Sequence, residues 1–169
     1  MIVTLRQDWR NSFAVVMDHE NIVAVCTIKL QDGRTDPPTF IDRTSVLVDD
    51  EVKVQMVLTS ETADDVGHRW SRLDDAIPIV CVPDPDMAPL YFDARAVCTV
   101  DAGGDGAKGS FSQIRLRHAE RALQTNASAE ELLTAFQAAL DGVQVDRHPS
   151  FLALPRNLLM PSMGPKGVE

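Results

Sequence analysis

The sequence predicts an α+β fold: a mainly antiparallel β-sheet of about seven strands, one short inserted helix, and a C-terminal helix followed by an extended arm. Three observations support this prediction. Apolar and polar residues alternate with period two along much of the first two-thirds of the chain. Turn-forming pairs such as Asp32-Gly33 separate these runs, and the spacing becomes helical after residue 118. The pattern therefore predicts one domain over residues 1–148 and a proline-broken apolar arm over residues 149–169.

The predicted strands are short runs that end at turn-forming residues. They cover residues 2–7, 12–17, 22–31, 44–59, 76–82, 90–100 and 111–117. Within residues 44–59 the apolar side chains lie mainly at even positions, and Asp50 interrupts them, which predicts a bend or bulge in one strand. Residues 90–100 and 111–117 predict an antiparallel hairpin with a flexible, glycine-rich tip.

A short helix is predicted between strands, within residues 61–75. Val66, Trp70 and Leu73 are spaced four and three residues apart, so they share one helical face. Thr62 is a residue type that caps helix starts, because its hydroxyl can accept a hydrogen bond from the first turn.

The second predicted helix covers residues 129–141, and its predicted apolar stripe is Leu132, Leu133, Phe136 and Leu140. Ser128 and Glu131 stand at the spacing of a capping box, and Gly142 is a residue type that ends helices. A further helical segment, limited by prolines, is expected near residues 150–160.

The 169-residue chain is acidic, with a net charge of −9 at pH 7. This charge argues against a surface covered with phosphate contacts, although it leaves room for one local basic face. No run reaches the roughly 18 apolar residues that cross a bilayer, and the start lacks the order of a signal peptide. Cys26, Cys81 and Cys98 lie in apolar runs, which predicts buried, reduced thiols. We therefore expect no membrane contact and a reducing, cytoplasmic setting for synthesis.

The sequence predicts no cofactor, no metal ion and no catalytic residue. The glycine-rich loop 103–110 lacks the spacing of a phosphate-binding loop, and a strand is predicted after it. The four histidines are not paired at metal-ligand spacing. A hydrolase that uses Asp49, Asp84 or Asp86 with a histidine remains open as an alternative, because catalytic groups can meet in space.

Five basic residues occupy odd positions, which are the polar side of several predicted strands. They are Lys29, Lys53, Arg95, Arg115 and Arg117. If the strands are neighbours, these side chains form a basic stripe that could bind the phosphates of RNA or DNA. The alternative is an ordinary solvated sheet face, because Glu51 and Asp93 share that parity.

The arm, residues 149–169, is too apolar for a free tail and too rich in proline for one long helix. The apolar side chains predicted to dock are Phe151, Leu152, Leu154, Leu158, Leu159 and Met160. An arm that cannot form its own core requires another surface, so we expect it to rest on a neighbouring subunit. The alternative is that it wraps around its own domain.

The order of elements resembles the coat proteins of small single-stranded-RNA bacteriophages. The shared layout is an N-terminal hairpin, an antiparallel sheet and C-terminal helices, and it is best matched over residues 90–160. The resemblance implies a dimer in which the helices of one subunit pack across the sheet of its partner, with RNA on the inner sheet face. Decoration, head-completion and tail-tube proteins of tailed phages are similar in being small, β-rich and acidic.

The sequence favours a non-enzymatic, self-assembling subunit of a bacteriophage virion, either a capsid (coat) or a decoration protein. Its partners would be further copies of itself and other virion proteins, and its location would be the virion, after assembly in the host cytoplasm. Apolar burial of the C-terminal helix and arm would hold the subunits together. The alternative is a small cytoplasmic binding or adaptor domain whose acidic surface engages a partner.

Overall fold

The computed structural model of the chain describes residues 1–9, 11–33, 37–102 and 112–141, with side chains for all of these except residues 7–9, 11–14 and 102. The described part is mainly antiparallel β-sheet, with ten strands in three sheets and two α-helices. The predicted arm over residues 149–169, the helical segment near 150–160 and the glycine-rich loop 103–110 lie outside the described residues.

The strands and helices follow one another along the chain with short connections. They are β1 (Ile2–Trp9), β2 (Asn11–Asp18), β3 (Ile22–Gln31), β4 (Phe40–Asp49), β5 (Val54–Thr59), α1 (Ala63–Ser71), β6 (Ile79–Pro83), β7 (Pro89–Asp93), β8 (Val97–Ala102), β9 (Ser112–Leu116), β10 (Leu123–Thr125) and α2 (Ala129–Leu140). β1 and β2 form a hairpin, five strands form a sheet in the order β5-β4-β3-β7-β6, and β10-β9-β8 form the third sheet. Every pairing is antiparallel.

The predicted single strand over residues 44–59 is wrong, because the chain reverses there and forms the β4–β5 hairpin. The Asp50 carboxylate accepts hydrogen bonds from the backbone N–H groups of Val52 and Lys53, which closes the turn. Val46 lies opposite Val57, so facing residues have opposite parity and the even-numbered side chains change face after the turn. Met56, predicted to be buried, is consequently 56% exposed.

The predicted strand over residues 90–100 is also two strands, β7 and β8, which belong to different sheets. Between them the carboxylate of buried Asp93 accepts a hydrogen bond from the N–H of Arg95 and opens a single 3-10 turn. Cys98 lies just after this turn, where the β8–β9 register is irregular, and it is exposed. The prediction of a buried thiol is therefore wrong for Cys98 and confirmed for Cys26 and Cys81.

Two apolar cores lie on opposite faces of the five-stranded sheet. The α1-side core joins α1, β1 and β2 to one face, through residues such as Val66, Trp70 and Tyr91. The α2-side core joins α2 and β9 to the other face, through residues such as Phe136 and Phe92. Tyr91 and Phe92 are neighbours in β7, and successive strand residues point to opposite faces. The central sheet is therefore covered on both sides, which explains why every residue of β6 is buried.

The predicted helices are present with the predicted caps. The Thr62 hydroxyl accepts a hydrogen bond from the N–H of Asp65, so α1 begins as expected but ends at Ser71. The Ser128 hydroxyl accepts from the N–H of Glu131, whose carboxylate accepts from the N–H of Ser128. The capping box of α2 is therefore confirmed.

Candidate functional site

The five predicted basic residues do not all occupy strands. Lys53 lies in the β4–β5 turn, Arg95 lies in the 3-10 turn after β7, and Arg117 follows the end of β9. Lys29 lies in β3 of the central sheet, whereas Arg115 lies in β9 of the three-stranded sheet. Odd-numbered positions therefore do not share one face, because the predicted strands over residues 44–59 and 90–100 are each divided into two strands.

The structure brings two of the five together. An Nη2 atom of Arg117 donates to the carbonyl oxygen of Arg95 at 2.8 Å. The Arg95 guanidinium is itself held by the Asp93 carboxylate, with Nη2 to Oδ2 at 2.8 Å, and this hydrogen bond raises the pKa of Arg95. Arg115 lies 3.6 Å from Asp101. Arg95 and Arg115 are thus already paired with carboxylates, which would compete with the phosphates of a nucleic acid.

Lys29 lines an acidic cleft at the β3–β7 side of the central sheet. The cleft has a volume of about 500 Å³, and its lining residues are Thr27, Lys29, Asp42, Asp84, Asp86 and Ala88. The ammonium of Lys29 donates to Asp86 Oδ2 at 2.7 Å, which raises the pKa of the lysine. Partial burial raises the pKa of Asp84, although the N–H groups of Asp86 and Ala88 donate to its Oδ1 atom and oppose that effect.

The remaining candidate for the hydrolase alternative, Asp49, lies elsewhere. Its carboxylate contacts Nδ1 of His118 at 3.0 and 3.1 Å. Since the carbonyl of His118 accepts from the N–H of Val54, this contact ties the β4–β5 hairpin to the turn after β9. The described structure therefore pairs Asp49 with a histidine but keeps Asp84 and Asp86 with Lys29, and it does not assemble the three carboxylates into one centre.

Helix α2 has a second apolar surface besides the one in the α2-side core. Leu132, Ala135, Phe136 and Ala139 are buried and form its inner stripe. Leu133 and Leu140 lie at the flank of that stripe, about 80–100° around the helix from Leu132, and are 61% and 56% exposed. A shallow groove of about 540 Å³ lies beside Leu133, and it is lined by Leu133, Thr134, Gln137, Ala138 and Asp141. We call this groove, together with Leu140, the outer face of α2.

A third constellation was not predicted from sequence. His19, Glu20 and Asp74 place one ligand atom each within 4.8 Å of one another. His19 and Asp74 are 55 residues apart, so no spacing motif could indicate the cluster. The signal that exists is structural: the 3-10 turn that follows β2 and the loop that follows α1 meet beside the α1-side core.

Comparisons with protein-family models, curated proteins and solved structures find no match for this chain. Within the residues that the structure describes, no helix is long and apolar enough to cross a membrane.

Proposed function

We propose that the chain is a non-enzymatic, self-assembling structural subunit of a bacteriophage virion, in which the outer face of α2 packs against a second copy. The observation that carries this proposal is that the apolar surface of α2 extends beyond its buried stripe. The stripe is used by the chain's own core, and its flank presents Leu133 and Leu140 to solvent.

Single exposed leucines are ordinary on protein surfaces and need no partner. These two differ because they stand seven residues apart, which places them about 20° apart around the helix. Leu133 also lines a groove that contains Ala138 and the aliphatic part of Gln137. Burying each leucine would contribute roughly 1.5–3 kcal/mol. A two-fold contact would bury four of them, since both subunits present the same patch.

The apolar arm supports the proposal that a second copy of the chain covers the outer face of α2. The chain leaves α2 after Leu140 and passes Asp141, which lines the groove. The segment that follows contains the apolar set Phe151, Leu152, Leu154, Leu158, Leu159 and Met160. We propose that the arm and the outer face of α2 together form the intersubunit surface. Together they could supply the area of about 1,000 Å² that a stable interface requires.

The virion assignment draws on the order of elements. An N-terminal hairpin, an antiparallel central sheet and a C-terminal helix are the features in which the sequence resembles small RNA-phage coat proteins. A capsid role and a decoration role both require self-association, so the outer face of α2 serves either one. The proposal includes no nucleic-acid contact, because Arg95, Arg115 and Lys29 lie beside carboxylates.

Light scattering after size-exclusion chromatography tests the proposal on the full chain. We expect a dimer or larger assembly. The variant Leu133→Gln/Leu140→Gln keeps good helix formers without adding charge, and it should weaken association at least about a hundredfold. Met56→Gln is the matched control, because Met56 is exposed to the same extent as Leu140 but lies on β5.

A wild-type chain that remains monomeric at millimolar concentration would overturn the proposal. So would equal association of the wild type and the double variant. If the apolar arm docks on the α2 of its own chain, the wild type stays monomeric. The experiment therefore distinguishes this arrangement from an intersubunit contact. Electron microscopy of the concentrated protein then separates closed shells or tubes, which a virion subunit forms, from a simple dimer.

The acidic cleft favours a second candidate function, an adaptor domain that binds a basic partner. Its three aspartates outnumber its one lysine, and Lys29 engages only Asp86 among them through a direct ion pair. A lysine-rich peptide should bind in a salt-dependent manner and should lose affinity in Asp42→Asn, with Asp75→Asn as the control. Equal binding by the two variants would contradict this candidate.

A further inference from the structure

The environment of His19 is unusual for a histidine that serves only to fill a core. Its side chain is 3% exposed, and its backbone carbonyl accepts a hydrogen bond from Nε1 of buried Trp70 at 3.1 Å. Both ring nitrogens face polar groups. The imidazole is therefore fixed in position and in orientation by contacts on every side.

Nδ1 of His19 has three polar neighbours. Nδ1 lies 2.7 Å from the carbonyl oxygen of Met1 and 3.0 Å from Oδ1 of Asp18, and both oxygens are acceptors. The amino nitrogen of Met1 lies 2.8 Å away on the same side and 3.6 Å from that Asp18 oxygen. The Met1 ammonium can only donate, so Nδ1 either accepts a hydrogen bond from it or donates to the two oxygens. In the second case Nε2 of the neutral ring carries the lone pair.

That lone pair faces another acceptor. Nε2 lies 3.5 Å from Oδ2 of Asp74, while the other oxygen of Asp74, Oδ1, accepts from the N–H of Ala76 at 2.8 Å. The hydrogen bond to Ala76 thus fixes the carboxylate with Oδ2 directed at the imidazole. The contact between Nε2 and Oδ2 needs a proton or a metal ion between the two atoms, which is the N–H of the other neutral tautomer, a second proton on His19, or a bound metal ion.

The distance fits a metal ion. Zinc binds imidazole nitrogen and carboxylate oxygen at about 2.0–2.2 Å, so two ligands of a tetrahedral ion lie about 3.4 Å apart. Glu20 supplies a third ligand atom from an exposed position, where it can move without disturbing the core. A histidine that donates its other N–H to a carbonyl or carboxylate is also the usual arrangement around metal-binding imidazoles.

We propose that His19, Glu20 and Asp74 form a binding site for one divalent transition-metal ion of the Zn²⁺ class, completed by water. One imidazole and two carboxylates suit Zn²⁺ better than Mg²⁺, because Mg²⁺ prefers oxygen ligands alone. The ion would join the turn between β2 and β3 to the loop between α1 and β6. It would therefore act as a clamp on the α1-side core.

Other charged groups around the site are Asp18, the Met1 amino group and Arg95. Arg95 interacts electrostatically with both Asp74 and Glu20, although Asp93 holds its guanidinium. A positive charge beside the carboxylates opposes cation binding. The account therefore predicts that Arg95→Gln tightens metal binding, whereas a purely structural Arg95 would leave it unchanged or weaken it.

Isothermal titration of the tag-free full chain with Zn²⁺ tests the proposal, and Co²⁺ provides a visible spectrum of the coordination geometry. We expect one ion per chain and a higher thermal midpoint in its presence. Asp74→Asn retains an acceptor for the N–H of Ala76 and should weaken binding about tenfold or more, with a smaller loss in Glu20→Gln. Asp75→Asn, the adjacent carboxylate outside the cluster, is the control and should bind as the wild type does.

Three results would overturn the site: no saturable Zn²⁺ binding at millimolar concentration, equal binding by Asp74→Asn and Asp75→Asn, or a preference for Mg²⁺ over Zn²⁺. If Asp74→Asn fails to fold, Glu20→Gln and Arg95→Gln still decide the question, because they predict opposite changes in affinity. Nitrogen NMR of the imidazole separates the remaining alternatives, since a proton on Nε2 without metal binding identifies either the other neutral tautomer or an imidazolium.

Discussion

The two helices cover opposite faces of one sheet, but their solvent-exposed surfaces differ in polarity. In α1 the exposed positions are Asp65 and Arg69, and its apolar side chains, including Val66 and Trp70, are buried. In α2 the inner stripe is equally buried, but Leu133 and Leu140 remain exposed. The chain's own fold therefore buries every apolar side chain of α1 but only some of those of α2. The unexplained part is where we place the neighbouring subunit.

The largest expected effect comes from removing the central aromatic residue of each core. Trp70→Ala and Phe136→Ala should each lower the free energy of unfolding by about 3–5 kcal/mol. Trp70 should be the costlier, because it is fully buried and also donates to the His19 carbonyl, whereas Phe136 is 9% exposed. Urea denaturation at low protein concentration measures both. A larger loss for Phe136 would contradict the view that α1 is the more completely buried helix.

A smaller loss is expected where α1 approaches the sheet most closely. A Cβ atom at Gly67 would overlap with Cδ2 of the buried Tyr91 ring. Gly67→Ala should therefore destabilise the protein by roughly 1–3 kcal/mol, despite the better helix propensity of alanine. Val52→Ala, at an 82% exposed position in the β4–β5 turn, is the control and should change stability by less than about 0.5 kcal/mol. Stabilisation by Gly67→Ala would show that the helix stands further from the sheet.

The helix caps should respond alike, which sharpens the comparison. Thr62→Ala removes the hydroxyl that accepts from Asp65, and Ser128→Ala removes the one that accepts from Glu131. Each substitution should cost about 1 kcal/mol. If the Ser128→Ala loss grows with protein concentration while the Thr62→Ala loss does not, stability of α2 is linked to assembly. Denaturation at two concentrations provides the measurement.

The reactivity of the native cysteines measures how tightly each core is closed, without any substitution. Cys26 belongs to the α2-side core and Cys81 to the α1-side core, and burial raises their pKa values to about 11 and about 12. Native thiol titration at pH 8 should modify exposed Cys98 first. Cys26 and Cys81 should react at least about a hundredfold more slowly, because each thiolate fraction is far below that of a free thiol. Rapid reaction of Cys81 would contradict the closed α1-side core.

Local patterns predicted the helices well because their signals are contained in a few adjacent residues. The Ser128–Glu131 box and the Val66–Trp70 face need no knowledge of distant contacts. The sequence predicts only a bend or bulge at Asp50, where the chain reverses, and no break at Asp93, because the apolar alternation continues on both sides of each aspartate. The three-residue strand β10 carries too short a pattern to stand out, and its Thr125 is buried by contacts with distant residues.

The candidate sites also differ in whether they depend on local patterns or on contacts between distant residues. Residue types indicated the acidic cleft only as scattered aspartates, because Lys29 and Asp86 meet through the sheet. The cluster of His19, Glu20 and Asp74 depends on a contact across 55 residues, which spacing cannot predict. The helical spacing predicted Leu133 and Leu140 in one buried stripe with Leu132 and Phe136, which is wrong for the first two, because they are exposed.

Hydrogen exchange as a function of protein concentration tests the central claim most directly. If the outer face of α2 meets a second copy, the amides of residues 129–141 gain protection as concentration rises through the association range, because assembly stabilises that helix. The amides of α1, residues 63–71, serve as the internal control and should change little. Equal behaviour of the two helices at all concentrations would contradict the account.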